Sequence, residues 1–84
     1  MAAIPIADLA RRNEAYRTEI YRDMDTQMVV MAIPPGGSIP NEIHPKNTQI
    51  TTVVEGVATI YMNSDFNRPT TLSAGDCVVI PRGH

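Results

Sequence analysis

Cysteine, tryptophan and phenylalanine are scarce in this chain: one cysteine, Cys77, no tryptophan and a single phenylalanine in 84 residues. A lone cysteine excludes an intrachain disulfide and fits a reducing cytoplasm. Its neighbours Val78, Val79 and Ile80 read as a buried strand. Cys77 is therefore expected as a small core hydrophobe, with nothing nearby to lower its pKa for catalysis. No window approaches the roughly 20 continuous apolar residues of a membrane-spanning helix, and the start Met1-Ala2-Ala3-Ile4-Pro5 lacks the basic and apolar segments of a signal peptide. The expectation is a soluble, cytoplasmic protein without a membrane partner. A net charge of -2 with scattered lysines and arginines provides no basic stripe, so nucleic acid is not an expected partner. Repeats, linkers and low-complexity tails are missing too, which leaves one small domain over 1–84, near the lower size at which one core suffices.

What is present is β-rich. Pro5 followed by Ile6-Ala7-Asp8-Leu9-Ala10-Arg11-Arg12 predicts a short helix that Asn13 ends, giving a helical arm over 1–13 and a β region over 14–84. A half-exposed strand is expected from Tyr16 to Tyr21, then a turn at Asp23-Met24-Asp25. Gln27 to Ile33 is apolar on both faces, as in a strand covered on two sides, and Pro34-Pro35-Gly36-Gly37 stops it. The strongest strand signals are Gln49–Val54 and Val57–Met62, with Glu55-Gly56 read as a turn or bulge between antiparallel partners. A polar stretch, Asn63–Pro69, precedes a short strand at Thr70–Leu72, and Ser73-Ala74-Gly75-Asp76 turns into Cys77–Ile80. Short strands punctuated by glycine and proline indicate an all-β sandwich or barrel.

Glu42 and His44 stand two apart in an expected strand, so their side chains share a face, and Gln49 opens the next strand. An imidazole, a carboxylate and an amide oxygen form a mixed nitrogen and oxygen donor set that suits Mn, Fe, Ni or Zn. Taken alone, Glu-x-His is common, and the triplet is better explained by surface residues, with Glu42 near Lys46 and His44 solvated beside Pro45.

The wider frame adds weight to the metal reading. Gly36, Glu42, His44, Gln49 and Gly56 resemble, at every interval, the first cupin motif Gly-x5-His-x-His-x3,4-Glu-x6-Gly. Two residue types depart from it, Glu42 for the first His and Gln49 for the Glu. This substituted pattern is similar to small single-domain cupins related to mannose-6-phosphate isomerase. Gly75, Asp76, Pro81 and Gly83 resemble the start of the second motif, Gly-x5-Pro-x-Gly-x2-His-x3-Asn, whose His would fall beyond His84. The resemblance implies a jelly-roll β-barrel of the cupin type with a short N-terminal helix, incomplete at the C-terminus, where later strands are missing. It further implies a divalent metal (Mn, Fe, Ni or Zn) held by Glu42, His44 and Gln49, in a site short of its usual fourth ligand. His84 is read as a terminal residue rather than that ligand.

Two functions follow as expectations. One is a metal-dependent enzyme of the isomerase or oxygenase kind acting on a small molecule, for instance a sugar phosphate, with Arg68 and Arg82 available to an anion. No general base is evident, since Glu55 lies at a turn and Tyr61 faces outward. The other is a non-catalytic, ligand-binding or self-associating module, in which exposed strands pair copies into a homodimer or higher oligomer. In that case Met28 to Ile33 would form the shared face, and Met24, Met28, Met31 and Met62 would pack adaptably.

Overall fold

A computed structural model describes residues 2–40, 42–62 and 68–84. One short helix and six strands are present: α1 (Ile6–Arg12), β1 (Thr18–Arg22), β2 (Gln27–Val30), β3 (Gln49–Thr52), β4 (Val57–Ile60), β5 (Thr70–Ser73) and β6 (Cys77–Ile80). The expected helix and its end at Asn13 are found, with Asp8 in the first turn and Arg11 and Arg12 in the last, each sign at the favourable end of the helix dipole. The chain divides into two compact units, Met1–Ser38 and Ile39–His84. Among the described residues, no helix is long and apolar enough to cross a membrane.

In the first unit, β1 and β2 form an antiparallel hairpin, Thr18 opposite Val30 and Arg22 opposite Gln27, with a register shift between Glu19 and Tyr21. The anticipated turn at Asp23–Asp25 is built on the Asp23 carboxylate. Its Oδ1 accepts hydrogen bonds from the backbone N–H of Asp25 (2.9 Å) and Thr26 (2.7 Å), while Tyr21 donates its hydroxyl to Oδ2 (2.7 Å). This is the local turn an aspartate side chain makes by copying a backbone acceptor. Beyond Val30 the strand expected to reach Ile33 stops short; within it Val29 and Val30, on opposite faces, are half-buried and buried. Val30 is buried, but Met28 and Ile33 are exposed. Pro34 and Pro35 lack the N–H groups a longer ladder would need.

The second unit is one two-stranded ribbon laid out in two lengths. β3 pairs antiparallel with β6, from Gln49 opposite Ile80 to Thr52 opposite Cys77. β4 pairs with β5, from Val57 opposite Ser73 to Ile60 opposite Thr70. Backbone hydrogen bonds from Val53 N–H to Asp76 C=O and from Gly75 N–H to Val53 C=O carry the pairing from the first length toward the second. The Glu55-Gly56 step therefore does not join two paired strands, which corrects the expected β3–β4 hairpin. It is a bend in one strand of the ribbon, and Gly56, at φ +88°, adopts the left-handed backbone that bend requires. Of the polar stretch Asn63–Pro69, residues 63–67 lie outside the described residues.

Alternation fixes which side chains face inward. On β4 and β5, Ala58 and Ile60 are half-buried and Leu72 is buried. On β6, Val78 and Ile80 turn inward, so Cys77 and Val79 turn out. Cys77 is exposed rather than a core residue. The described core is thin, with Val30 and Leu72 its only buried hydrophobic side chains, at 6% and 4% exposure.

Candidate functional site

The loop entering β3 carries the first two candidate residues. Glu42 and His44 do not lie in a strand, contrary to expectation, and Pro40 and Pro45 on either side explain why: each lacks a ladder donor. The backbone nonetheless brings the two side chains together. His44 Nε2 and Glu42 Oε2 are 3.3 Å apart, on partly exposed side chains, while Ile43 between them is 72% exposed. Glu42 thus pairs with His44 and not with Lys46.

His44 is anchored through its main chain. Its carbonyl accepts a 2.9 Å hydrogen bond from the Gly83 N–H. Gly83 belongs to a turn closed by His84 N–H donating to Pro81 C=O (3.2 Å), and its φ of +82° is the left-handed value that a glycine supplies at the third position of a type II turn. The Pro81-Arg82-Gly83-His84 segment therefore holds the His44 loop beside the end of the β3–β6 ladder. Neither the Glu-x-His spacing nor the separate reading of Pro81 and Gly83 revealed this link, although both glycine-containing motifs were visible.

Gln49, the first residue of β3, has a different neighbour. Its Nε2 donates to Thr51 Oγ1 at 3.0 Å, not to Glu42 or His44. Gln49 and Thr51 share a ribbon face with their register partners Ile80 and Val78. Thr51, Val78 and Ile80 are half-buried there. The opposite face carries Ile50 (68% exposed), Thr52, Cys77 and Val79 (52% exposed), none of them charged.

Among the described residues, no three His, Cys, Asp or Glu side chains gather as a metal cluster. The candidate triplet contains two such groups and an amide, so the relevant question is whether those two can share an ion. Metal–nitrogen and metal–oxygen bonds of about 2.0–2.2 Å place neighbouring donors of one ion roughly 3.0–3.5 Å apart. The 3.3 Å between His44 Nε2 and Glu42 Oε2 lies in that interval. The separation of the pair is compatible with a shared divalent cation. Of the remaining residues considered from sequence, Tyr61 is exposed as expected, Glu55 lies in the bend before β4, and Arg68 and Arg82 are exposed.

The described strands form three two-stranded antiparallel sheets that close no barrel, and with one short helix this mostly β chain fits part of a jelly roll. The family model described as "Cupin domain" matches residues 29–84, more than half of the chain, and the protein belongs to that family. No curated protein and no solved structure matches it.

Proposed function

We propose that this cupin binds a divalent metal of the Mn, Fe, Ni or Zn kind through Glu42, His44 and Gln49, and that the site receives a small anionic molecule. The observation that carries the reading is the 3.3 Å approach of a carboxylate and an imidazole on a loop latched by Gly83. When bound, the metal supplies a Lewis acid that polarises a carbonyl or hydroxyl oxygen. The chain's own part is to hold the donors. Pro45 stiffens the backbone after His44, and the Gly83 N–H fixes the His44 carbonyl. Arg82, next to Gly83, offers a guanidinium suited to a carboxylate or phosphate on the substrate. Sugar-phosphate isomerisation, as in the mannose-6-phosphate isomerase-like cupins, and oxygenase chemistry are the reactions we consider for it. The setting is the reducing cytoplasm, where the exposed Cys77 stays a thiol.

Elemental mass spectrometry of the purified full chain tests this, after exposure to each of the four metals and desalting. Near-stoichiometric metal is expected in the wild type, falling at least tenfold in His44→Ala. Equal metal in both proteins, or none in either, overturns the assignment.

A second reading is favoured by the uncharged outer face of β3 and β6. A non-catalytic module could use Ile50, Thr52, Cys77 and Val79 to meet a second copy, forming a homodimer and covering surface that the thin core leaves open.

A further inference from the structure

Given the metal reading above, we infer that the Pro81–His84 turn and the Glu42–His44 loop are one coupled unit, with Gly83 its positioning residue. A cation at the Glu42–His44 pair firms the turn that carries Arg82, and loosening the turn weakens the hold on the cation. The loop lies between Pro40 and Pro45 and has no strand ladder to fix it. Among the described residues, the bond from Gly83 N–H to His44 C=O is the only main-chain hydrogen bond outside helices and strands that reaches residues 42–48. The backbone restraint on His44 therefore comes through one contact, and its donor stands next to Arg82 in the chain.

The turn is built to present that donor. Its closing bond uses His84 N–H on Pro81 C=O, which leaves the Gly83 N–H to reach His44 C=O at 2.9 Å. Gly83 takes φ +82°, the left-handed value this position of a type II turn requires. A Cβ added there would meet nothing within 4 Å, so a side chain at 83 acts through backbone strain and not through collision. The carbonyl that the turn holds belongs to the residue whose Nε2 stands 3.3 Å from Glu42 Oε2, so a displaced His44 backbone carries the donor pair out of register. Coupling of this kind is reciprocal. The factor by which a formed turn tightens cation binding equals the factor by which a bound cation favours the formed turn.

The test follows solvent exchange of the Gly83 amide by NMR in the full-length, metal-stripped chain, with and without saturating Zn2+. Dissociation constants for Zn2+ are measured beside it by competition with a chromophoric chelator, with thermal melting recorded for every variant. Zn2+ should slow the Gly83 exchange about tenfold, and Gly83→Ala should weaken Zn2+ binding by the same factor, because the cation then has to form the turn against left-handed strain. Gly83→Asn places the side chain that best tolerates this backbone and should bind within about threefold of wild type. Gly75→Ala is the control. Gly75 is also left-handed, at φ +94°, with open space for a Cβ, and its N–H donates to Val53 C=O on the other side of β6 in the chain. That variant should lose thermal stability as Gly83→Ala does and keep Zn2+ affinity within about twofold of wild type. Equal weakening in Gly75→Ala and Gly83→Ala overturns the coupling, because the loss then follows stability alone. Gly83 exchange that Zn2+ leaves unchanged, or wild-type affinity in Gly83→Ala, alongside lost binding in His44→Ala, also overturns it and leaves the metal site standing. Wild-type affinity in His44→Ala instead removes the metal reading, and the coupling with it.

Discussion

Asp23 shows how much one exposed side chain can organise. Hydrogen bonds from the Tyr21 hydroxyl first, then from the Asp25 and Thr26 backbone N–H groups, hold its carboxyl below the usual carboxylate value of 3.8. The same contact raises the Tyr21 phenol above 10.0. Because the folded-state value of Asp23 is depressed, its contribution to stability is present above about pH 4 and is lost as pH falls through the folded value. For Tyr21, raised in the folded state, the contribution is complete below about pH 10 and is lost as pH rises through the higher folded value. Asp23→Asn keeps an acceptor oxygen for the turn but cannot titrate. Its melting temperature should vary less than that of wild type between about pH 5 and about pH 2.5, and an equally steep acid loss in both would assign the dependence elsewhere. The turn was legible from Asp23-Met24-Asp25 as a cluster of turn formers. The Tyr21 partnership was not, since tyrosine in a strand reads first as packing. The site residues divide in the same way. Glu42, His44 and Gln49 stand out only within the longer frame from Gly36 to Gly56, while the main-chain link from Gly83 to His44 carries no motif and is apparent only from the fold.

For the strands, the sequence disclosed positions better than partners. Helix α1, the β1 and β2 strands and the Cys77–Ile80 strand fall close to where alternation and punctuation put them. The adjacent runs before and after Glu55-Gly56 look like a hairpin because a Glu-Gly step is a common turn. In the fold each run pairs instead with a strand further along the chain, and no local signal encodes that choice. Cys77 departs from expectation for a related reason. A run such as Cys77-Val78-Val79-Ile80 is apolar at both parities, and only its register against β3 decides that Val78 and Ile80 face in. The outward parity creates the uncharged face on β3 and β6, and with it a prediction. If two copies meet there, sedimentation equilibrium under reducing conditions should show a concentration-dependent dimer in the wild type. Val79→Lys should weaken it at least tenfold, by placing a charge in the contact. A wild type that stays monomeric, or a Val79→Lys protein that dimerises equally well, removes that face from consideration.

At the scale of the molecule, the ribbon of the second unit has an order built into its connectivity. Its pairs enclose progressively longer stretches of chain, from Ile60 with Thr70, through Gln49 with Ile80, to the His44–Gly83 hydrogen bond. Closing the shortest stretch costs the least chain entropy, and each later pair forms beside one already made. Such a ribbon is expected to zip from the Ile60–Thr70 end, with the Glu42–His44 loop the last rung to form and the first to fray. A cation held by Glu42, His44 and Gln49 would then clasp the end that opens first. Interactions absent from the folding transition state slow unfolding and leave the folding rate nearly unchanged. In stopped-flow denaturant jumps, saturating Zn2+ should accordingly depress the unfolding arm of the wild type by tenfold or more while the refolding arm stays within about twofold. A shift in the refolding arm instead would mean that the loop is already in place when the barrier is crossed. The metal would thereby act as a kinetic lock as well as a reagent, setting how long the ribbon stays shut.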